Sequence, residues 1–386
     1  MIALLALLQG IALAVVLVRL LPGRRRRPPV PPRPDASSAD GDVSVVVAAL
    51  NEARRIQPCL EGLIAQGSVV REILVVDSGS TDGTQELVHA AASRDPRITL
   101  LRDPPLPSGW VGKVWALQHG LAHAHGEWVL GVDADTAPQP GCVGGALAAA
   151  RELGYDAVSF APRFRIDSAA ERWLQPALLV TLIYRLGAAG TDVKPDRVLA
   201  NGQCFLARRD VLEAGGGYSV ARASFADDVT LARALARSGR RVGFMDGSRL
   251  YDVRAYTSAR EAWREWGRSL DLKDATTRAR QRADVVFLLV AQGTPLLALV
   301  ILLARALVGI PFGADARALL ATSGALLAVR LMLQRALAGS YAERGASFWL
   351  SPAADPLAAL RILLSTLRRP TRWRGREYRK SAEQRA

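Results

Sequence analysis

Between Ile2 and Leu21 only Gln9 and Arg19 break a run of apolar side chains, and Arg24, Arg25, Arg26 and Arg27 follow at once. About 20 such residues suffice to cross a bilayer as a helix, a form that satisfies its own peptide groups in hydrocarbon. No basic segment precedes the run and no small-residue cleavage site closes it, which tells against a removable signal. Residues 1–21 therefore read as a membrane helix, and the arginines after it place the N-terminus outside and the continuation in the cytoplasm. Residues 22–42, basic and then rich in Pro, Ser and Ala, read as an extended linker.

The other end of the chain repeats the pattern. Val285 to Ile310 is apolar apart from Arg305, and Ala318 to Leu337 is interrupted only by a few polar residues including Arg330 and Arg335. Two helices within residues 284–339 would cross out and back. Pro356 to Leu367 is short and carries Arg361, which favours an interfacial helix over the alternative of another span, so residues 340–386 read as an interfacial helix and a basic cytoplasmic tail. A multi-pass protein of the cell (inner) membrane is expected, with residues 43–275 on the cytoplasmic side. Lys and Arg outnumber Asp and Glu by 50 to 36, a net charge of +14. The arginines cluster beside apolar runs, which fits anionic lipid better than nucleic acid, and no nucleic-acid motif accompanies them. Cys59, Cys142 and Cys204 are scattered without metal-ligand spacing and read as small buried hydrophobes in a reducing compartment.

From Val43 the texture changes. Short β-branched runs at Val43–Leu50, Glu72–Asp77, Ile98–Arg102, Trp128–Asp133 and Ala157–Phe160 predict strands. Arg54–Ala65, Thr84–Ala92, Lys113–Ala124 and Gly141–Glu152 predict helices. Continuous apolar strands separated by helices imply an α/β fold with a mostly parallel sheet covered on both faces. Ligands of such sheets bind at the carboxyl ends of the strands. Trp173 to Leu186 is a further apolar stretch that suits either a core helix or one resting on the bilayer.

Three acidic stations follow predicted strands or open a helix. The first strand ends before Asn51-Glu52, and the second ends in Asp77, followed by Ser-Gly-Ser-Thr-Asp82-Gly-Thr. Acids at adjacent strand tips can accept hydrogen bonds from a nucleoside, although Ser80, Thr81 and Asp82 suit helix capping equally well. Asp133-Ala-Asp135 ends a buried strand, and two carboxylates one residue apart can hold Mg²⁺ or Mn²⁺ when a diphosphate completes the shell. Asp227-Asp228 opens a helix, where acids favour the dipole; the functional reading makes Asp228 a general base. His119 and His123 are four apart on a predicted helix, yet no third zinc ligand accompanies them.

These stations resemble, in order and spacing, the family-2 glycosyltransferases of GT-A (Rossmann-like) fold. Gly109-Trp-Val-Gly-Lys113-Val-Trp-Ala, Ala200-Asn201-Gly-Gln203-Cys-Phe, Arg254-Ala-Tyr256-Thr-Ser, Trp263-Arg-Glu-Trp266 and Trp373-Arg-Gly-Arg-Glu-Tyr378 are similar to segments of the carotenoid (diaponeurosporenoate and chlorobactene) and hopene-associated members. The resemblance implies a UDP- or GDP-sugar donor, a lipid-like acceptor and a divalent cation. It implies that Asp77 contacts the donor base, with Asn51, Glu52 and Asp82 about the nucleoside. Asp133 and Asp135 would hold the metal and diphosphate, Lys113 would neutralise the leaving diphosphate, and Asp228 would be the base of an inverting transfer. Asn201, Gln203, Asp227, Trp263 and Trp266 would lie on the acceptor side. The sequence has Asp227-Asp228 where the family usually has Glu-Asp. It also lacks the Gln-x-x-Arg-Trp motif of processive synthases, which favours single-sugar transfer over a polysaccharide synthase. A non-catalytic sugar-nucleotide-binding scaffold is the third alternative, and intact Asp133, Asp135 and Asp228 tell against it.

Overall fold

The computed structural model describes residues 1–367 except 255, 257, 268, 269 and 271, together with 372–373 and 376–377. The rest of the basic tail, Tyr378 included, lies outside the described residues. The chain forms two compact units. One comprises Arg27–Phe164, Ala189–Ala255 and Pro370–Ala386; the other comprises Met1–Arg26, Arg165–Ala188 and Tyr256–Arg369.

The first unit is built on a seven-stranded sheet. In chain order its elements are β1 (Val43–Ala49), β2 (Val70–Asp77), β3 (Ile98–Arg102), β4 (Trp128–Asp133), β5 (Thr136–Pro138), β6 (Ala157–Ala161), β7 (Arg163–Phe164), β8 (Cys204–Arg208), β9 (Val242–Asp246) and β10 (Tyr251–Val253). The main sheet has the order β3-β2-β1-β4-β8-β6-β9, and β5-β10-β7 form a smaller one. Within the main sheet β8 alone runs antiparallel to its neighbours. Alternate side chains of β1 enter opposite layers. Val45 and Val47 pack with Leu60, Leu63, Val143 and Leu147 on one face, and Val46 packs with Val114, Leu117 and Leu121 on the other. Burial on both faces is why these strands carry apolar runs rather than alternating patterns. The Pro-rich segment lies along this unit: the Val30 N–H donates to the Asp246 carbonyl and the Arg33 N–H to that of Gly141.

The second unit gathers the long apolar helices. Among the described residues three are long and apolar enough to cross a membrane: Ile2–Arg25, Arg278–Leu307 and Ala314–Ser340. Gln9, the polar break in the first, is fully buried. It donates to Thr294 Oγ1 and accepts from Thr322 and Ser323, so its amide joins all three helices. Arg330 is equally buried and pairs with Asp355 at 2.9 Å; that residue opens the helix Asp355–Leu367. This last helix buries Ala358, Ala359 and Ile362 and leaves Leu357, Leu360 and Leu367 exposed, an apolar outer face suited to a lipid boundary. The stretch containing Trp173 to Leu186 forms the helix Ala169–Leu186, mostly buried within this unit.

Candidate active site

The site is assembled at the carboxyl ends of β2, β1 and β4. The register sets Asp77 opposite Ala49 and Asp133 opposite Ala48, so the acids ending β2 and β4 flank the tip of the strand between them. Beyond that tip the chain turns sharply at Asn51, whose φ of 55° lies in the left-handed region, which asparagine tolerates better than most residues. The turn is laced to the loop after β2. The Asn51 N–H donates to Ser80 Oγ, and Asn51 Oδ1 accepts from the Thr81 N–H. Glu52 N–H donates to Thr84 Oγ1, and Ala53 N–H to Asp82 Oδ2.

Asp82 thus serves chiefly as a brace. Its Oδ1 accepts from both the N–H and the hydroxyl of Thr84. Partial burial works against its charge, but the Thr84 hydroxyl and the Ala53 and Thr84 amides outweigh it and hold its carboxyl below the usual range. Glu52 is buried and paired with Arg55 at 3.0 Å. Burial, reinforced by the charge of Asp133, pushes its carboxyl up to about 7 against the pull of Arg55.

Lys113, in the first turn of the helix Gly112–Ala122, reaches Asp133 Oδ1 at 2.5 Å. A Cβ on Gly202 would stand 2.9 Å from its Nζ and 3.5 Å from Asp228 Cβ. Gly202 therefore leaves the space in which the Lys113 ammonium and the Asp228 side chain lie side by side. Burial opposes the lysine's charge, yet Asp133, Asp227 and Asp228 together raise its pKa above the ordinary value. Asp228 Oδ2 accepts from the Gly202 N–H and Oδ1 from the Val229 N–H, each at 2.8 Å. Burial and the neighbouring Asp227 nonetheless push Asp228 up to about 7, with Lys113 opposing. Asp135 is also pushed to about 7, by burial and then by Asp133 and Glu52.

Among the described residues no three His, Cys, Asp or Glu side chains form a metal-holding group. Asp133 and Asp135 nevertheless suit a hard divalent cation: both are oxygen donors, the charge of Asp133 raises the cost of charging Asp135, and a diphosphate would supply the missing oxygens. His119 and His123 lie ring to ring, 4.4 Å between centroids, on the helix surface.

Asn201 and Gln203 stand just before β8. Asn201 Nδ2 donates to Gln203 Oε1 at 2.9 Å, and the Gln203 carbonyl accepts from the Asp133 N–H at 3.4 Å. The chain turn holding Gln203 is therefore bonded directly to the strand end that presents Asp133. Trp263 and Trp266 belong to the other unit, where the Arg361 guanidinium lies 5.6 Å from the Trp263 ring centroid and donates to its carbonyl. Sequence reasoning passed over Gln85, Arg55, Gly202 and Tyr218. Gln85 donates to Asp77 at 2.7 Å, and the buried Tyr218 hydroxyl has no hydrogen-bond partner among the described residues. Only Arg55, three residues beyond Glu52, carried a positional signal.

Residues 44–216 match the family described as Glycosyl transferase family 2. A dolichyl-phosphate beta-glucosyltransferase of Trichomonas vaginalis is 40% identical over 100 residues, covering 24% of this chain and 28% of that protein. An undecaprenyl-phosphate 4-deoxy-4-formamido-L-arabinose transferase of Pseudomonas fluorescens is 32% identical over 145 residues, covering 36% of this chain and 40% of that protein. The matches thus span less than half the length of these relatives. Among solved structures, a mannosyltransferase of Pyrobaculum calidifontis in complex with GDP-Man and Mn²⁺ superposes with a TM-score of 0.54 at 24% identity, over 92% of this chain and 99% of that one. That likeness is one of fold.

Proposed function

From the premise that the chain carries a glycosyl transferase family 2 domain, we propose that it transfers a single sugar, with inversion, from a nucleotide-sugar donor to a lipid-like acceptor at the cytoplasmic face of the cell membrane. The observation that carries this reading is the convergence of Asp133, Asp227 and Asp228 on the Lys113 ammonium at the carboxyl end of the sheet. Asp77, Asn51 and Glu52 border the nucleoside. Asp133 and Asp135 would hold Mg²⁺ or Mn²⁺ against the diphosphate, where a dication supplies charge neutralisation for the leaving group. Lys113 would neutralise the same group. Asp228, its carboxylate held by two backbone N–H groups, takes the proton of an acceptor hydroxyl as that oxygen attacks the anomeric carbon.

Two lines of support bear on the acceptor. The named relatives act on dolichyl and undecaprenyl phosphates, whereas the Gly109–Ala116 and Ala200–Phe205 segments resemble carotenoid and hopanoid enzymes. Both acceptor types are amphiphiles, and both suit a chain with three membrane-length helices. The exposed Arg24, Arg25 and Arg26 just after the first helix support a cytoplasmic sheet unit.

The test is lipid extraction and mass spectrometry of cells with and without the gene, paired with donor turnover by purified membranes with and without Mn²⁺. One lipid species lighter by a single sugar in the deletion, and cation-dependent turnover, are expected. Unchanged lipids together with no turnover of any nucleotide sugar would leave the scaffold reading standing instead.

A further inference from the structure

Asp77 ends β2 and is only 1% exposed. Its two oxygens are not equivalent. Oδ2 accepts from the Gly79 N–H at 3.1 Å, the Ser80 N–H at 3.0 Å and Gln85 Nε2 at 2.7 Å. Oδ1 is sealed from solvent and, among the described residues, accepts nothing. A carboxylate oxygen offers about two lone-pair sites, so Oδ2 is saturated and the side chain has one acceptor left. A buried acceptor without a donor is costly, which makes Oδ1 a demand for a donor that the folded unit does not supply.

Resting on the proposed donor site, we propose that Asp77 and Gln85 together select the base of the donor: a pyrimidine-2,4-dione, uracil or thymine, in preference to guanine. The edge of such a base presents one ring N–H between two carbonyls, a single donor for a single free oxygen. Guanine presents N1–H and N2–H side by side, a pair matched to both oxygens of a free carboxylate. With Oδ2 occupied, guanine would bury one of those donors unpaired. Gln85 makes the difference. Its helix, Thr84–Ala92, fixes the carboxamide against Oδ2, and Gly79, at φ 88°, turns the Gly79 and Ser80 amides onto the same oxygen. A Cβ at Gly79 would meet nothing within 4 Å, so the space beside this turn is open; in the proposed complex the base edge enters from there and uncovers Oδ1. The GDP-Man in the mannosyltransferase of similar fold belongs to that protein; the selection argued here comes from the hydrogen bonds of this chain.

Calorimetry of the full-length protein in detergent, with Mn²⁺ and with UDP, dTDP, GDP or ADP, tests the proposal. UDP and dTDP are expected to bind at least tenfold more tightly than GDP or ADP. In Gln85→Leu, which keeps volume and removes the donor, UDP should weaken and its lead over GDP should shrink at least threefold. GDP or ADP binding as tightly as UDP, or an unchanged UDP-to-GDP ratio in a folded Gln85→Leu protein, overturns the base selection and leaves the transferase reading intact. If that variant does not fold, the ranking on the unaltered protein decides alone. Binding of none of the four nucleotides overturns the donor site itself, and the selection with it.

Discussion

Replacing Asp228 by Asn tests the chemistry with the least change of shape. The carboxylate has two acceptor oxygens, one bound to the Gly202 N–H and one to the Val229 N–H, both at 2.8 Å. An amide of the same outline keeps one oxygen, so one backbone N–H loses its partner, at a cost of about 1–3 kcal/mol in stability. Removing a placed base costs roughly 10²–10⁴ in rate. The two effects separate experimentally: the melting temperature reports the first, and transfer at saturating donor reports the second, while nucleotide affinity should stay nearly unchanged. The pH profile supplies an internal check. Asp228 is raised to about 7 by burial and by Asp227, and a base must be ionised to act, so activity rises with pH through that value. About one-tenth of the groups would be ionised at pH 6 and about nine-tenths at pH 8, giving roughly a ninefold rise in kcat/KM. In Asp228→Asn that limb should vanish. A variant that transfers within threefold of the unaltered protein, or that keeps the same acid limb, would remove Asp228 from proton transfer. The acceptor oxygen would then arrive already ionised, as a phosphate does.

Asp133→Ala should weaken Mn²⁺-dependent donor binding at least tenfold, measured by calorimetry with and without the cation; equal affinities would take Asp133 out of the metal site. Lys113→Met breaks the 2.5 Å pair with Asp133 and should lower transfer roughly a hundredfold. The same variant should bind Mn²⁺ at least as tightly in the absence of donor, since Asp133 is then free for the cation, and electron paramagnetic resonance of bound Mn²⁺ reads this directly. Arg330→Leu strands Asp355 in the buried core of the membrane unit and should destabilise it by about 3–5 kcal/mol. Thermal unfolding in detergent would show the loss, and a second change, Asp355→Leu, should recover most of it.

Two of the strand tips were legible because an apolar β-branched run stops at an acid: Val75-Val76 before Asp77 and Val132 before Asp133. Burial on both faces of the sheet forces the runs, and the acids end them where the chain leaves the core. The antiparallel course of β8 carried no comparable mark, because Cys204–Arg208 is as apolar as a parallel strand and direction depends on connections that hydropathy does not record. Gln85 was silent for a similar reason: a glutamine on the first turn of a helix looks like surface until its partner is known. The helix Ala169–Leu186 shows the same ambiguity at larger scale. Its apolar positions suit a globular core or a membrane-associated unit equally, and only tertiary packing assigned it to the unit of long helices.

Three carboxyls of the site are raised well above their ordinary range, and that links its fold to its chemistry. Glu52, Asp135 and Asp228 are each raised to about 7, and burial is the first cause in every case. Lys113 and Arg55 offset part of this, but neither restores an ordinary pKa. A carboxyl whose pKa is raised by folding lowers stability at neutral pH, so these three acids work against the fold that holds them. Gly202 sharpens the point: a single added methyl would press on Lys113 Nζ at 2.9 Å, so the ammonium beside Asp228 lies in a space the backbone keeps clear for it. Gly202→Ala should therefore lower transfer well beyond its effect on melting temperature, because it moves Lys113 relative to Asp133 and Asp228 while leaving both sheet cores untouched. A variant in which melting temperature and transfer fall together, with cation and nucleotide binding unchanged, would show that the glycine serves packing and that the position of the ammonium is not critical.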